Sequence, residues 1–262
     1  MPDVAVNRHR LHYEQAGTGD ALVFLHGLGS CGQDWLLQMQ ALAARFHMIA
    51  PDLHGHGESA APQGPVRVAD LAGDVTGLLD ALGVERAHLV GLSLGGCVAQ
   101  QIALDCPARV RSLTLVNTFA RFDLGELRTA ILVVLRLAVL GTLGLPTQAR
   151  LVAARLFPKP EQAPLREMAA QRIAANDPAT YRRMLSAIQS FDVRDRLGEI
   201  RCPTLVIAGE RDTTVPLRAK RFLAERIPGA RLEIVADSGH ATPVDQPDAF
   251  NELLTRFLQS VA

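Results

Sequence analysis

The sequence predicts an α/β fold: a mostly parallel, eight-stranded sheet with helices on both faces. Three observations lead there. Short apolar runs alternate with longer segments of helical periodicity, the pattern of buried strands joined by crossover helices. A chain of 262 residues can bury a full core and sits in the range where such folds run as one domain with an insertion. Between Val116 and Pro203 there are helical patterns and no strand signal, so this stretch interrupts the sheet pattern.

In chain order, Val4–Val6 and Leu11–Tyr13 read as an antiparallel hairpin turning around Asn7 to Arg10. Ala21–Leu25 is a buried strand ending at His26-Gly27, and the segment from Gln33 to Arg45 is helical, with Trp35, Leu36, Met39, Leu42 and Ala43 on one face. His47–Ala50 is a strand stopped by Pro51. Val68–Leu82 carries Leu71, Val75, Leu78, Leu79 and Leu82 at helical spacing, and Gly83 fits its C-terminal cap. His88–Gly91 is a short strand, Leu94–Asp105 a helix ending before Pro107, and Val110–Val116 a buried strand. Helices fit around 127–141, 147–156, 164–175 and 178–189. Pro203–Ala208 and Arg231–Val235 are buried strands flanking the helix Leu217–Ile227, and Asp248–Ser260 closes the chain as an amphipathic helix. The expected division is a core of residues 1–118 and 195–262 and a helical cap of residues 119–194, on the edge where strands end and ligands bind.

Composition narrows the function. Lysine plus arginine (27) balance aspartate plus glutamate (27), so neither nucleic acid nor a strongly charged partner is expected. Cys31, Cys97, Cys106 and Cys202 form no CxxC pair and read as buried reduced thiols. The residues after Met1 have no apolar leader character, so a cytoplasmic location is expected. Ala130–Leu145 is almost wholly apolar, but it falls short of the roughly 20 residues a spanning helix needs and carries Arg136 centrally. It reads as a buried or half-buried helix, and no membrane association is expected.

Gly91-Leu92-Ser93-Leu94-Gly95 is a G-x-S-x-G pattern directly after a strand and directly before a helix. A turn that sharp holds the serine in a strained conformation and tolerates only small neighbours, here Gly91, Gly95 and Gly96. It also sets the serine beside free N–H groups at a helix start, which favour developing negative charge. A hydroxyl needs a base, and the base needs an orienting acid. Asp212 follows the strand Pro203–Ala208, and His240 follows the strand ending near Val235. Ser93, Asp212 and His240 therefore all lie past strand ends on one edge of the sheet. The oxyanion of acyl transfer needs two N–H donors. One is expected from Leu94 and the other from Leu28, in the glycine-rich loop His26-Gly27-Leu28-Gly29.

From about residue 10 to 260 the chain resembles the α/β-hydrolases, through His26-Gly27, the segment Pro51-Asp52-Leu53-His54-Gly55-His56-Gly57-Glu58-Ser59, the elbow around Ser93, the run from Gly209 to Pro216, and Gly239-His240. It is similar to the small capped esterases and lactonases, including the 3-oxoadipate enol-lactonase-like group. The resemblance implies an ester or lactone hydrolase that uses no cofactor. The same scaffold also serves thioesterases, carbon–carbon hydrolases, perhydrolases, cofactor-free lyases and ligand receptors. Some relatives carry the acid after an earlier strand, where Asp123 would stand. Asp52, His54 and His56 are spaced like metal ligands, but no partner set accompanies them in the sequence, and no metal is expected. His26 is expected to fix the oxyanion loop by hydrogen bonding. The apolar helix carrying Leu132, Val133, Leu135, Leu137, Val139 and Leu140 is expected to roof the serine in part, with Arg121, Arg128 or Arg136 as the residues able to recruit a carboxylate.

Overall fold

The structure is a computed structural model, and it describes residues 2–122, 134–135 and 138–261. Its eight strands are β1 (Asp3–Val6), β2 (His9–Ala16), β3 (Asp20–Leu25), β4 (Phe46–Pro51), β5 (Ala87–Leu92), β6 (Val110–Val116), β7 (Thr204–Gly209) and β8 (Arg231–Val235), in the spatial order β1-β2-β4-β3-β5-β6-β7-β8. β1 and β2 run antiparallel, as do β2 and β4, and every other pairing is parallel. The chain leaves β3 for β4 on one side and returns to β5 on the other. This reversal opens a crevice at the C-terminal ends of β3 and β5, where open α/β sheets bind ligands.

Nine α-helices complete the described residues: α1 (Leu36–Leu42), α2 (Val68–Ala81), α3 (Leu94–Asp105), α4 (Gly144–Leu156), α5 (Ala163–Ala174), α6 (Pro178–Ser190), α7 (Leu217–Arg226), α8 (Thr242–Asp245) and α9 (Pro247–Gln259). Alternation along β3 sorts the core into two layers. Val23 and Leu25 pack with α2, α3 and α7, whereas Leu22 and Phe24 pack with Trp35, Met39 and Leu42 and with the apolar stripe of α9. Helices α4 to α6 lie between β6 and β7 in sequence. They share a smaller cluster of Leu140, Leu145, Ala149, Ile173, Tyr181 and Leu185, against which Leu28 of the main unit packs.

The expected hairpin turns on Asn7 and Arg8, both at positive φ (48° and 72°), as a two-residue turn compatible with strand twist requires. Gly83 caps α2 at φ 67°. Three details differ from expectation. The segment after Gln33 splits into a 3-10 turn (Gly32–Trp35) and α1, which rotates Leu36 and Leu37 into solvent. β8 ends the sheet and is largely exposed instead of buried, because an edge strand has neighbours on one side only. Within the apolar segment Ala130–Leu145, Leu140 and Leu145 are buried but Val134 and Leu135 are exposed, while 130–133, Arg136 and Leu137 lie outside the described residues. Among the described residues no helix is long and apolar enough to cross a membrane.

Asn117 ties the sheet's C-terminal edge together. Fully buried after β6, it accepts the Gly209 N–H (2.8 Å) and donates to the carbonyls of His240 (2.8 Å) and Gly239 (3.2 Å) and to the Thr242 hydroxyl (2.8 Å). Removing its amide strands several buried partners at once. Asn117→Ala is therefore expected to lower unfolding free energy by about 3 kcal/mol, since each orphaned buried polar group costs about 1–3 kcal/mol. Chemical denaturation measures it, and a loss below about 0.5 kcal/mol would contradict this role.

Candidate active site

Ser93 sits between β5 and α3 at φ 53°, ψ −112°, a region that non-glycine residues rarely occupy and that stores strain. Its surroundings over-determine it. The Ser93 N–H donates to the Val116 carbonyl (3.0 Å), and the Ser93 carbonyl accepts from the Thr118 hydroxyl (2.7 Å) and the Cys97 N–H (3.1 Å). The crowding explains the glycines of the motif: a Cβ on Gly95 would lie 2.0 Å from the Leu25 carbonyl oxygen, and one on Gly91 would lie 2.3 Å from that of Gly95.

Asp212 and His240, distant in sequence, are brought together. His240 Nδ1 is 3.0 Å from Asp212 Oδ2, and both side chains are buried. The other carboxylate oxygen accepts the N–H groups of Thr214 (2.8 Å) and Val215 (3.1 Å). Burial pushes the Asp212 carboxyl up, but the attraction and hydrogen bonding of His240 and Lys220 outweigh it and hold the group well below the ordinary carboxylate range. An ionised Asp212 can only accept, so the ring nitrogen facing it, His240 Nδ1, is the donor, and Nε2 is the nitrogen turned away from the carboxylate.

The loop after β3 runs beside Ser93: a Cβ built on Gly27 would be 3.7 Å from the Ser93 Cβ. His26 anchors this loop as expected. Its Nε2 accepts the Leu53 N–H (2.9 Å), which leaves the proton on Nδ1 to donate to the Gly27 carbonyl (2.8 Å). Burial takes His26 down to about 4, so it stays neutral in that bridge. Leu94 opens α3, where the first N–H groups have no helical acceptor. Asp52 is engaged locally, accepting from the N–H groups of Gly32 (2.7 Å) and Glu58 (2.8 Å), and His56 packs edge-on against His26. His54 points elsewhere, to Asp74.

Ser93, His240 and Leu28 all line one cavity of about 1100 Å³, roofed by side chains of α4, α5 and α6 such as Leu156, Met168 and Ile173. The described part of the expected roof, Leu135, Val139 and Leu140, does not line it, while Leu132, Val133 and Leu137 lie outside the described residues. Arg121 does line it and pairs with Asp192, whereas Arg128, Arg136 and the alternative acid Asp123 lie outside the described residues.

Residues 20–247 match the family model for the alpha/beta hydrolase fold. This chain belongs to that family. It is 40% identical over 253 residues, 94% of each chain, to a protein of Azorhizobium caulinodans provisionally named as the carbamate hydrolase RutD. It is 32% identical to 3-oxoadipate enol-lactonase 2 of Acinetobacter baylyi, covering 95% of this chain and 91% of that one. The enol-lactonase of Burkholderia xenovorans superposes with a TM-score of 0.91 at 31% identity, over 98% of this chain and 100% of the other.

In this α/β-hydrolase, Lys220 is a feature that the sequence conceals. From the second turn of α7 its ammonium donates to Asp212 Oδ2 (2.7 Å) and to the Val215 carbonyl (2.7 Å), and its side chain is wholly inaccessible. Burial pushes the amine below its ordinary range, and Asp212 offsets that only in part. Lys220→Met should therefore lower stability at pH 7 by about 2 kcal/mol, less than for a lone buried pair because His240 and two N–H groups still serve the carboxylate. A depressed carboxyl contributes stability above its unfolded value and loses it as pH falls. The gap between wild type and variant is thus expected to hold from pH 7 down to near 3.8 and to shrink below that, as read by thermal melts across pH. A gap that widens in acid would contradict the pairing.

Proposed function

We propose that the chain is a serine hydrolase that cleaves a carboxylic ester or lactone of a small molecule through an acyl-enzyme on Ser93. The observation that carries the reading is the strained Ser93 turn facing the same cavity as His240, whose proton-bearing Nδ1 is held by ionised Asp212. Ser93 Oγ attacks the carbonyl carbon while His240 Nε2 takes the hydroxyl proton, and Asp212 stabilises the imidazolium. The N–H groups of Leu94 and Leu28 receive the oxyanion. The imidazolium then protonates the leaving alcohol, and water repeats the sequence to release the acid. Residues 119–194 act as the cap over this site. No cofactor is required. The carbamate chemistry in one relative's name is a second reading, because a carbamate carbonyl accepts the same attack.

The cavity's apolar roof favours an apolar acyl group, and arginines along its wall such as Arg121, Arg172 and Arg194 are engaged by Asp192 or Asp34. Each buried methylene contributes about 0.8 kcal/mol, so kcat/KM should rise about four-fold per added methylene from acetate until the pocket fills. Succinate monoesters should be poor substrates, and a clear preference for them would replace this reading with a carboxylate-bearing lactone. The mechanism itself is tested by Ser93→Ala, expected to cut kcat by about 10³-fold or more with an unchanged fold, and by a fluorophosphonate, expected to label Ser93 alone. An active Ser93→Ala protein, or labelling elsewhere, rejects it.

A further inference from the structure

Outside the cavity, the fold brings together three side chains far apart in sequence: His9 at the start of β2, His54 in the loop after β4, and Asp74 in α2. His9 Nε2 lies 3.2 Å and His54 Nδ1 3.3 Å from the same oxygen, Asp74 Oδ2. Neither contact has hydrogen-bond alignment, and both His9 Nε2 and Asp74 Oδ2 are buried without a hydrogen-bond partner. The two imidazoles stack, with ring centres 3.8 Å apart. A buried carboxylate oxygen left in this way is costly unless something else satisfies it.

We propose that His9, His54 and Asp74 form a binding site for a divalent transition-metal ion of the zinc class. Zinc–nitrogen and zinc–oxygen bonds of about 2.0–2.2 Å make the edge of a tetrahedral site about 3.3 Å, which is the separation of each nitrogen from Asp74 Oδ2. One ion could thus take all three atoms once the rings splay from their stack to aim their lone pairs at it. Two imidazoles and one carboxylate suit zinc and its neighbours, whereas magnesium and calcium select all-oxygen sets. The supporting contact is in place: Asn7 Nδ2 donates to Asp74 Oδ1 (2.9 Å), which turns Oδ2 toward the histidines. Asp74 is buried, but the histidine side chains remain partly exposed (17% and 15%), leaving an approach for the ion. None of the three lines the cavity with Ser93, so the ion would clamp the N-terminal hairpin, the loop after β4 and α2 without joining the chemistry.

The test uses the untagged full-length chain stripped with chelator and titrated with Co²⁺, then Zn²⁺. A single equivalent of Co²⁺ should give the intense visible bands of a low-coordinate ion. Zn²⁺ should bleach them, and thermal melting should rise with Zn²⁺ concentration. His9→Gln and His54→Gln should each abolish the bands and the shift while keeping the metal-free melting point and ester turnover of the stripped wild type. Absence of a specific equivalent in the wild type, or binding unchanged in both variants, overturns the proposal.

Discussion

Ser93 occupies backbone space that its side chain disfavours, and much of the surrounding sequence serves to keep it there. Strain of this kind costs of order 1–3 kcal/mol and survives only where neighbours leave no alternative. The neighbours are β5 feeding directly into α3, the absence of a Cβ at Gly91 and Gly95, and the Thr118 hydroxyl holding the Ser93 carbonyl. The reward is geometric: the turn sets Ser93 between the end of β5 and the start of α3, in the lining of the cavity.

The same edge of the sheet is bound crosswise by polar groups instead of apolar ones. Asn117 joins β6 to β7 and to the turn carrying His240, His26 joins the loop after β3 to the segment after β4, and Asp212 has all its acceptor sites occupied. Such networks stiffen a site when every member is satisfied. Here they set the relative positions of three loops at the C-terminal edge of the sheet.

How much was legible follows from how each residue's role is encoded. Buried parallel strands write themselves as unbroken apolar runs, so β3 to β7 could be placed to within a residue or two, and α3 ended where Pro107 demanded. Ser93 and Asp212 are candidates because each stands just past such a strand, and His240 because it follows the edge strand β8. Lys220 is not, because a lysine on an amphipathic helix reads as solvent-facing until its partner is known. Asn117 reads as a loop residue for the same reason. The pairing of His54 with His9 depends on how the N-terminal hairpin folds back, which no local pattern records. Of the expected roof, Leu135, Val139 and Leu140 do not line the cavity, because apolar content alone does not say which way a helix face turns.

The helices between β6 and β7 do more than cover the cavity, since Ile173 and Tyr181 press against Gly29 and Asn176 donates to its carbonyl (3.1 Å). Gly29 belongs to the loop that borders Ser93. The helices that line the cavity are therefore attached to the loop that borders Ser93. Exchanging the whole insertion with a relative would alter selectivity and turnover together, whereas single replacements at Leu165 or Met168, away from that seam, would vary selectivity alone.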